Sequence, residues 1–200
     1  MTYDALQIAN WFIRRAGMED RKLSIMSVLK LTYIAHGWHL EIRKEPLFDN
    51  RIEAWQYGPV IPDVYRKFRT QGITVSTPYP TMEAELHAND ERFLNGIWDI
   101  YGNLSASRLS ELTHEESGPW HIVTQAFGNY VPIPNDLIQN HYEMKRSRNV
   151  DLRQARNDAL EEADQLVNSL WKTPFISDDA EQILRRAGKG IRNLKTEEPK

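Results

Sequence analysis

Histidine and carboxylate side chains lie side by side in residues 113–121, which read THEESGPWH. These residue types bind zinc and activate water in metal-dependent hydrolases. A hydrolase that uses His114, Glu115 and His121 with a metal is therefore one functional hypothesis. It requires the two histidines to face a common point, and their spacing can be checked against that requirement.

The spacing favours a structural role for this stretch. A zinc-binding helix places its two histidines one turn apart on one face, whereas Gly118-Pro119 interrupts the helix between His114 and His121. Proline is tolerated in the first turn of a helix, so we expect a new helix to begin at Pro119. The interpretation that follows is a corner between two helices. Trp120 would fill the core there, and His114 or Glu115 would bond exposed backbone.

A second histidine pair, His36 and His39, flanks Gly37-Trp38 on a predicted helix. The two could share a face, but no carboxylate at a suitable spacing completes a metal site. We expect one to be a core histidine bonded to backbone and the other to lie at the surface. Glycine in mid-helix costs about 1 kcal/mol relative to alanine, so Gly37 indicates a close crossing with another helix.

Basic side chains cluster near the end of the chain and could contact nucleic acid; they are Arg185, Arg186, Lys189, Arg192 and Lys195. A prophage regulator that binds DNA through this face is another hypothesis. The chain as a whole carries a formal charge of −3, which provides no general field for nucleic acid, and a solvated terminal helix explains the cluster more simply.

The sequence supplies no convincing active site. It contains no cysteine, and it has no glycine-rich phosphate loop and no serine in a nucleophile context. We therefore predict a protein that is not an enzyme, with no cofactor, no metal and no catalytic residues. It has no signal-peptide pattern and no apolar run of about 18 residues, so we expect a cytoplasmic protein with no membrane contact.

Hydrophobic periodicity predicts a mainly α fold. Residues 3–16 have apolar positions at helical spacing, with Asp4 as N-cap, and Ser24 precedes a longer helix with two apolar stripes that should lie at the centre of the domain. Within the segment 46–57, residues 51–57 alternate with period two and predict a short extended segment, half of a small β-hairpin, which ends at Gly58-Pro59. The fold class is thus a single helical domain with a small β-hairpin element.

Residues 72–89 should form a long surface loop, followed by further helices. Tyr79 lies between two prolines in that loop and could serve as a stiff aromatic anchor for a partner. The polar stretch 147–151 looks like a boundary. We therefore predict a domain over residues 1–146 and a C-terminal helical extension with a charged tail over residues 147–200.

The extension carries the second candidate contact surface for a partner. Apolar residues recur every three or four positions over residues 152–171, a seam that could pack on the domain or on a second copy of the chain. Four large apolar residues lie close together near its end: Leu166, Leu170, Trp171 and Phe175. Such a patch fits a partner-binding hot spot, or it pins the last helices to the domain.

Three blocks of sequence resemble a known family. Residues 30–40 read KLTYIAHGWHL, residues 46–65 contain PLFD and IEAWQYGPVIP followed by VY, and residues 109–120 contain LSELTH and PW. Together these blocks resemble the Panacea domain of the SocA-like antitoxins, also called the phage-associated GepA domain. The resemblance covers roughly residues 3–145. Its motif residues include Trp38, Trp55, Tyr57, Gly58, Pro59, Thr113, His114, Pro119 and Trp120.

The resemblance implies a function in protein binding. Members of the family are helical domains with a small β element that bind and neutralise a toxin encoded beside them. In the SocA case the domain also delivers the toxin to a ClpXP-type protease as an adaptor. The family has no catalytic residues to carry over. We expect the motif blocks to converge, with Trp55 and Tyr57 near Trp120 and with Trp38, Trp55, Trp98 and Trp120 largely buried.

Overall fold

A computed structural model describes residues 2–79, 86–171 and 178–196. Within them the chain is mainly helical with two small antiparallel sheets, which confirms the predicted fold class. The helices are α1 (Ala5–Gly17), α2 (Ile25–Arg43), α3 (Pro62–Phe68), α4 (Ala88–Tyr101), α5 (Ala106–Thr113), α6 (Pro119–Phe127), α7 (Asn135–Trp171) and α8 (Asp178–Thr196). The strands are β1 (Leu23–Ser24), β2 (Glu53–Trp55), β3 (Gly58–Val60), β4 (Thr74–Val75) and β5 (Val131–Pro132).

Helix α2 is the centre of the fold, as its two apolar stripes predict. It packs against α1, α3, α4 and α5 and is buried over most of its circumference. Its first turn is capped by the Ser24 side chain, which accepts a hydrogen bond from the Ser27 amide. Asp4 caps α1 in a capping box with Gln7, so both predicted N-caps are confirmed.

The larger sheet has the strand order β3-β2-β5. A two-residue turn at Gln56-Tyr57 joins β2 and β3 and pairs Trp55 with Gly58, which confirms a hairpin here. The predicted end at Gly58-Pro59 is wrong, because these two residues belong to the second strand. Strand β5 adds to the other edge of β2, next to Ala54. The sheet therefore places β2 between its own hairpin partner and a strand from more than 70 residues later in the chain.

Two predictions about the chain path are wrong. The segment 72–89 is not a loop throughout, because β4 pairs with β1 in the second sheet and α4 begins at Ala88; residues 80–85 lie outside the described residues. The polar stretch 147–151 does not interrupt the helix either, since α7 runs through it from Asn135 to Trp171. A solvated helix has no need of apolar residues at every turn, so polarity alone did not mark an end. The division into residues 1–146 and 147–200 stays a prediction.

The chain forms two compact units, one up to Glu143 and one from Met144 onward. In the second, α8 lies beside the later part of α7, and the Lys195 ammonium contacts the Glu161 and Asp164 carboxylates at 3.0 and 3.2 Å. The early part of the predicted seam is exposed, with Leu152 69% exposed.

Within the described residues, none of the helices is long and apolar enough to cross a membrane.

Candidate functional site

The motif residues of α2 and the hairpin meet around a buried lysine. Lys30 has no exposed surface, and its ammonium donates hydrogen bonds to the carbonyl oxygens of Tyr57 (3.0 Å) and Pro59 (3.2 Å). Burial lowers the pKa of Lys30 to about 7, because the charged form loses its hydration. Sequence reasoning missed this residue. The available signal was a lysine inside a helix that is otherwise apolar on two faces.

Gly58 allows this approach of helix and hairpin. Its φ of +100° favours glycine, and a Cβ there would lie 2.2 Å from the Lys30 Nζ and 2.7 Å from the His114 Cε1. The Lys30 and His114 side chains therefore converge on one glycine. Any larger residue would push them apart.

His114 fixes the corner between α5 and α6. Its Nδ1 lies 2.5 Å from the Ser110 carbonyl oxygen, so this side chain bonds backbone at the junction, as predicted. Burial lowers the pKa of His114, although the Ser110 hydrogen bond acts in the opposite direction. The neutral ring therefore carries its proton on Nδ1, and Nε2 is left on the side facing Gly58.

Trp120 joins this corner to the hairpin. Its ring packs edge-on against His114 at 4.1 Å between centroids, and its indole N–H donates to the Trp55 carbonyl oxygen at 2.8 Å. The predicted approach of Trp55 to Trp120 is confirmed. Burial follows the prediction only for Trp98, at 2% exposed, whereas Trp38, Trp55 and Trp120 are half-buried. Because Trp120 is half-buried, Trp120→Ala should lower the stability of the protein by less than the roughly 3–5 kcal/mol typical of a fully buried tryptophan.

The residues of the hydrolase hypothesis do not converge. Glu115 lies 3.5 Å from His141, and His114 is engaged by Ser110 and Trp120. Among the residues that the structure describes, no group of three histidine, aspartate or glutamate side chains is arranged to hold a metal ion. The geometry therefore assigns structural contacts to His114 and Glu115.

Comparison with known proteins places these motifs in a family. The family model "Antitoxin SocA-like, Panacea domain" matches residues 28–121, which contain Lys30, Gly58, His114 and Trp120. The chain is also 30% identical over 182 residues to "Antitoxin SocA" of Caulobacter vibrioides (strain NA1000 / CB15N), covering 80% of this chain and 93% of that protein. The chain belongs to the SocA-like antitoxin family. No solved structure matches it.

In this SocA-like protein the motif is thus a packing centre with a defined geometry. Three separate blocks of the family sequence contribute to it: the α2 lysine, the hairpin glycine and the α5–α6 corner. Pro59 and Pro119 are both buried, and Thr113 donates a hydrogen bond to the Ser110 carbonyl oxygen at 2.9 Å. At the hairpin tip, the Tyr57 carbonyl oxygen is bonded to Lys30, whereas Tyr57 as a whole is 67% exposed.

The histidines of α2 are both core residues of the family fold, which corrects the expectation of one surface histidine. His36 is fully buried and its Nε2 lies 2.9 Å from the Asn135 Oδ1. His39 is 8% exposed and its Nδ1 lies 2.8 Å from the Glu45 carbonyl oxygen. The backbone partner predicted for one histidine therefore belongs to His39.

The candidate partner contacts of this SocA-like chain fall in two places. Tyr79 is half-buried, and the Asn10 side chain bonds both its amide (2.7 Å) and its carbonyl oxygen (3.1 Å). Its ring lies 4.7 Å from the Lys67 ammonium, so Tyr79 is anchored to the domain surface. The backbone of Leu166, Leu170 and Trp171 belongs to α7; their side chains, like the whole of Phe175, lie outside the described residues.

Proposed function

We propose that this protein is an antitoxin that neutralises a cognate toxin by direct protein–protein binding. The observation that carries the proposal is its 30% identity to Antitoxin SocA along nearly the full length of that protein. The geometry agrees with a binding role, because the motif residues are engaged in packing and leave the surrounding surface for recognition. A standard interface of roughly 1,600 Å² would suffice if a few aromatic anchors are buried at its centre.

The other two functions receive less support. The described residues do not assemble the His114, Glu115 and His121 set that a metal-dependent hydrolase needs. The DNA-binding hypothesis depends on basic residues of α8, and Lys195 among them is engaged by two carboxylates. Neither alternative is supported by a similar protein in the way that Antitoxin SocA supports the antitoxin proposal.

The antitoxin proposal predicts rescue of growth. Expression of the reading frame adjacent to this gene should arrest growth, and co-expression of this chain should restore it. The two proteins should then co-elute from a sizing column as one complex. A toxic neighbour that this chain neither neutralises nor binds would contradict the proposal.

An adaptor role is a finer part of the antitoxin proposal. It requires the toxin to persist longer in cells that lack a ClpXP-type protease.

The proposal also assigns different roles to the two parts of the chain. Residues 1–146 would form the Panacea domain, and residues 147–200 would form an extension that contacts the toxin, packs on the domain or joins two copies through residues 152–171. Tyr79 and the Leu166, Leu170, Trp171 and Phe175 group are its candidate contacts. Each is a place where specificity can vary without disturbing the packing centre.

Replacing Trp171 and Phe175 by alanine separates the two roles of the C-terminal group. Loss of neutralisation at an unchanged melting temperature is expected if these side chains contact the toxin, because the fold does not depend on them. A lower melting temperature would instead show that they pin the last helices. The measurement is a thermal melt of the double variant beside the growth-rescue assay.

A further inference from the structure

One face of the larger sheet presents aromatic and basic side chains together. Glu53 and Trp55 are two residues apart in β2 and therefore project to the same side, and Arg51, just before the strand, reaches the Glu53 carboxylate. The Glu53 carboxylate is 8% exposed; it accepts a hydrogen bond from the Trp55 indole N–H at 2.7 Å and contacts the Arg51 guanidinium at 2.5 Å. These contacts hold the Trp55 ring in one orientation at the surface.

Two tyrosine rings pack against the Trp55 ring and form an aromatic cluster with it. The Tyr65 ring of α3 lies 5.1 Å from the Trp55 ring and the Tyr130 ring lies 5.4 Å from it, between centroids. Trp55 and Tyr65 are half-buried, and Tyr130 is 67% exposed. We define the Trp55 face as the surface formed by Arg51, Trp55, Tyr65, Arg69 and Tyr130.

Tyr130 occupies its place in a strained backbone conformation. Its φ of +65° is in the left-handed region, which a bulky aromatic residue rarely adopts. The sheet maintains this conformation, because the Tyr130 amide donates to the Ala54 carbonyl oxygen at 2.6 Å just before β5 begins. The strain positions a largely exposed ring, so core packing does not account for it.

Charge distinguishes this face from the rest of the chain. Residues 51–69 contain four basic and two acidic residues, whereas the whole chain has 25 basic and 28 acidic residues. The Glu53–Arg51 and Asp63–Arg66 pairs balance their own charges, so the excess positive charge of this segment comes from Lys67 and Arg69. Arg69 lies one helical turn beyond Tyr65 and is exposed, so it adds positive charge beside the rings.

The edge of the sheet favours recognition by side chains. Strand β5 has only two residues, and its Pro132 has no N–H to donate to an added strand. Tyrosine, tryptophan and arginine are the residue types that most often carry binding energy at protein interfaces. The Trp55 face combines all three on a sheet held by the packing centre.

We propose that the Trp55 face is the surface that docks the partner protein, and that the partner presents apolar side chains flanked by carboxylates. This inference rests on the proposed function, because the partner is then the toxin. The aromatic rings would cover the apolar side chains of the partner. Arg69 would lie beside its carboxylates, where complementary charge speeds association and fixes register.

Tyr130→Asn tests the aromatic part of the face, using the full chain and the purified product of the adjacent reading frame. Asparagine tolerates the left-handed conformation, so the backbone is retained while the ring is lost. We expect the dissociation constant to rise at least about thirtyfold, as for a hot-spot residue. Ile100→Asn is the matched control, since Ile100 is 66% exposed on α4, and it should change affinity less than about twofold.

Arg69→Glu tests the charge of the partner. It should weaken binding and reduce the dependence of the association rate on salt. A dissociation constant for Tyr130→Asn within about twofold of the wild type, at an unchanged melting temperature, would overturn the inference. Tighter binding by Arg69→Glu would overturn the acidic character of the partner. If the wild-type chain does not bind the toxic product at all, the proposed function fails and this inference fails with it.

Discussion

Acidification from pH 6.5 to pH 4 is expected to remove about 3 kcal/mol from the free energy of unfolding through His36 alone. Burial lowers the pKa of His36 to about 4, although its hydrogen bond with Asn135 acts in the opposite direction. The His36 Nδ1 is buried and has no hydrogen-bond partner among the described residues, and the ring packs against Phe48 at 4.2 Å. Protonation would therefore place an unsatisfied N–H and a charge in the core.

The direction of the effect follows from the two protonation states. The folded pKa lies below the unfolded value of about 6.5, so between these values the unfolded chain binds more protons than the folded one. The contribution of His36 to the free energy of unfolding is nearly complete above pH 6.5. It declines as the pH falls below 6.5 and changes little below pH 4. Urea unfolding at pH 7, 6, 5 and 4 measures it.

His36→Gln supplies the control, because its amide can still bond Asn135 but does not titrate. Every other carboxylate and histidine remains in both proteins, so the difference between their stability curves isolates His36. The variant should lose about 3 kcal/mol less than the wild type between pH 7 and pH 4. Parallel curves would contradict the assignment.

Gly37→Ala is expected to destabilise the protein by about 2–3 kcal/mol, although alanine is the better helix former. A Cβ at Gly37 would lie 2.1 Å from the Cε2 atom of Tyr142 on α7, and Tyr142 is only 3% exposed. The Tyr142 ring also packs edge-on against Trp38 at 5.0 Å, which limits its retreat. This confirms the predicted close crossing at Gly37. The melting temperature should fall by about 5–10 °C.

Gly96→Ala is the matched control in α4, since a Cβ there meets no atom within 4 Å. It should stabilise the protein by up to about 1 kcal/mol through helix propensity alone. Combining Gly37→Ala with Tyr142→Leu should cost less than the sum of the two single changes, because the smaller side chain leaves room for the added methyl group. Additive losses would show that the crossing does not set the cost.

The packing centre and the surface have separate tasks in this protein. The packing centre fixes the hairpin against α2 and the α5–α6 corner through Lys30, Gly58, His114 and Trp120. Substitutions there would disturb the fold before they affected binding to a partner. The Trp55 carbonyl oxygen accepts the Trp120 hydrogen bond, while the Trp55 ring faces outward between two tyrosines. The same residue thus connects the family motif to the surface that we propose for docking.

Local patterns in the sequence determined the helices, the caps and the hairpin. The two stripes of α2 predicted its central position, Asp4 and Ser24 marked two helix starts, and Gly118-Pro119 marked the α5–α6 corner. Each of these depends on residues close together in the chain, where spacing alone defines which side chains share a face. The motif blocks also predicted the family, which the comparison confirmed.

Apart from the approach of Trp55 to Trp120, which the motif blocks predicted, only the tertiary structure decided which residues meet across the chain. Lys30 reads as one polar residue in an apolar helix, and its carbonyl partners lie 27 and 29 residues away. Tyr130 lies 75 residues beyond Trp55, and its left-handed backbone depends on a bond to Ala54 that no local pattern encodes. The helical path through residues 147–151 was missed for the opposite reason. There the residues are solvated, and a polar segment looks the same in sequence whether it is helix or loop.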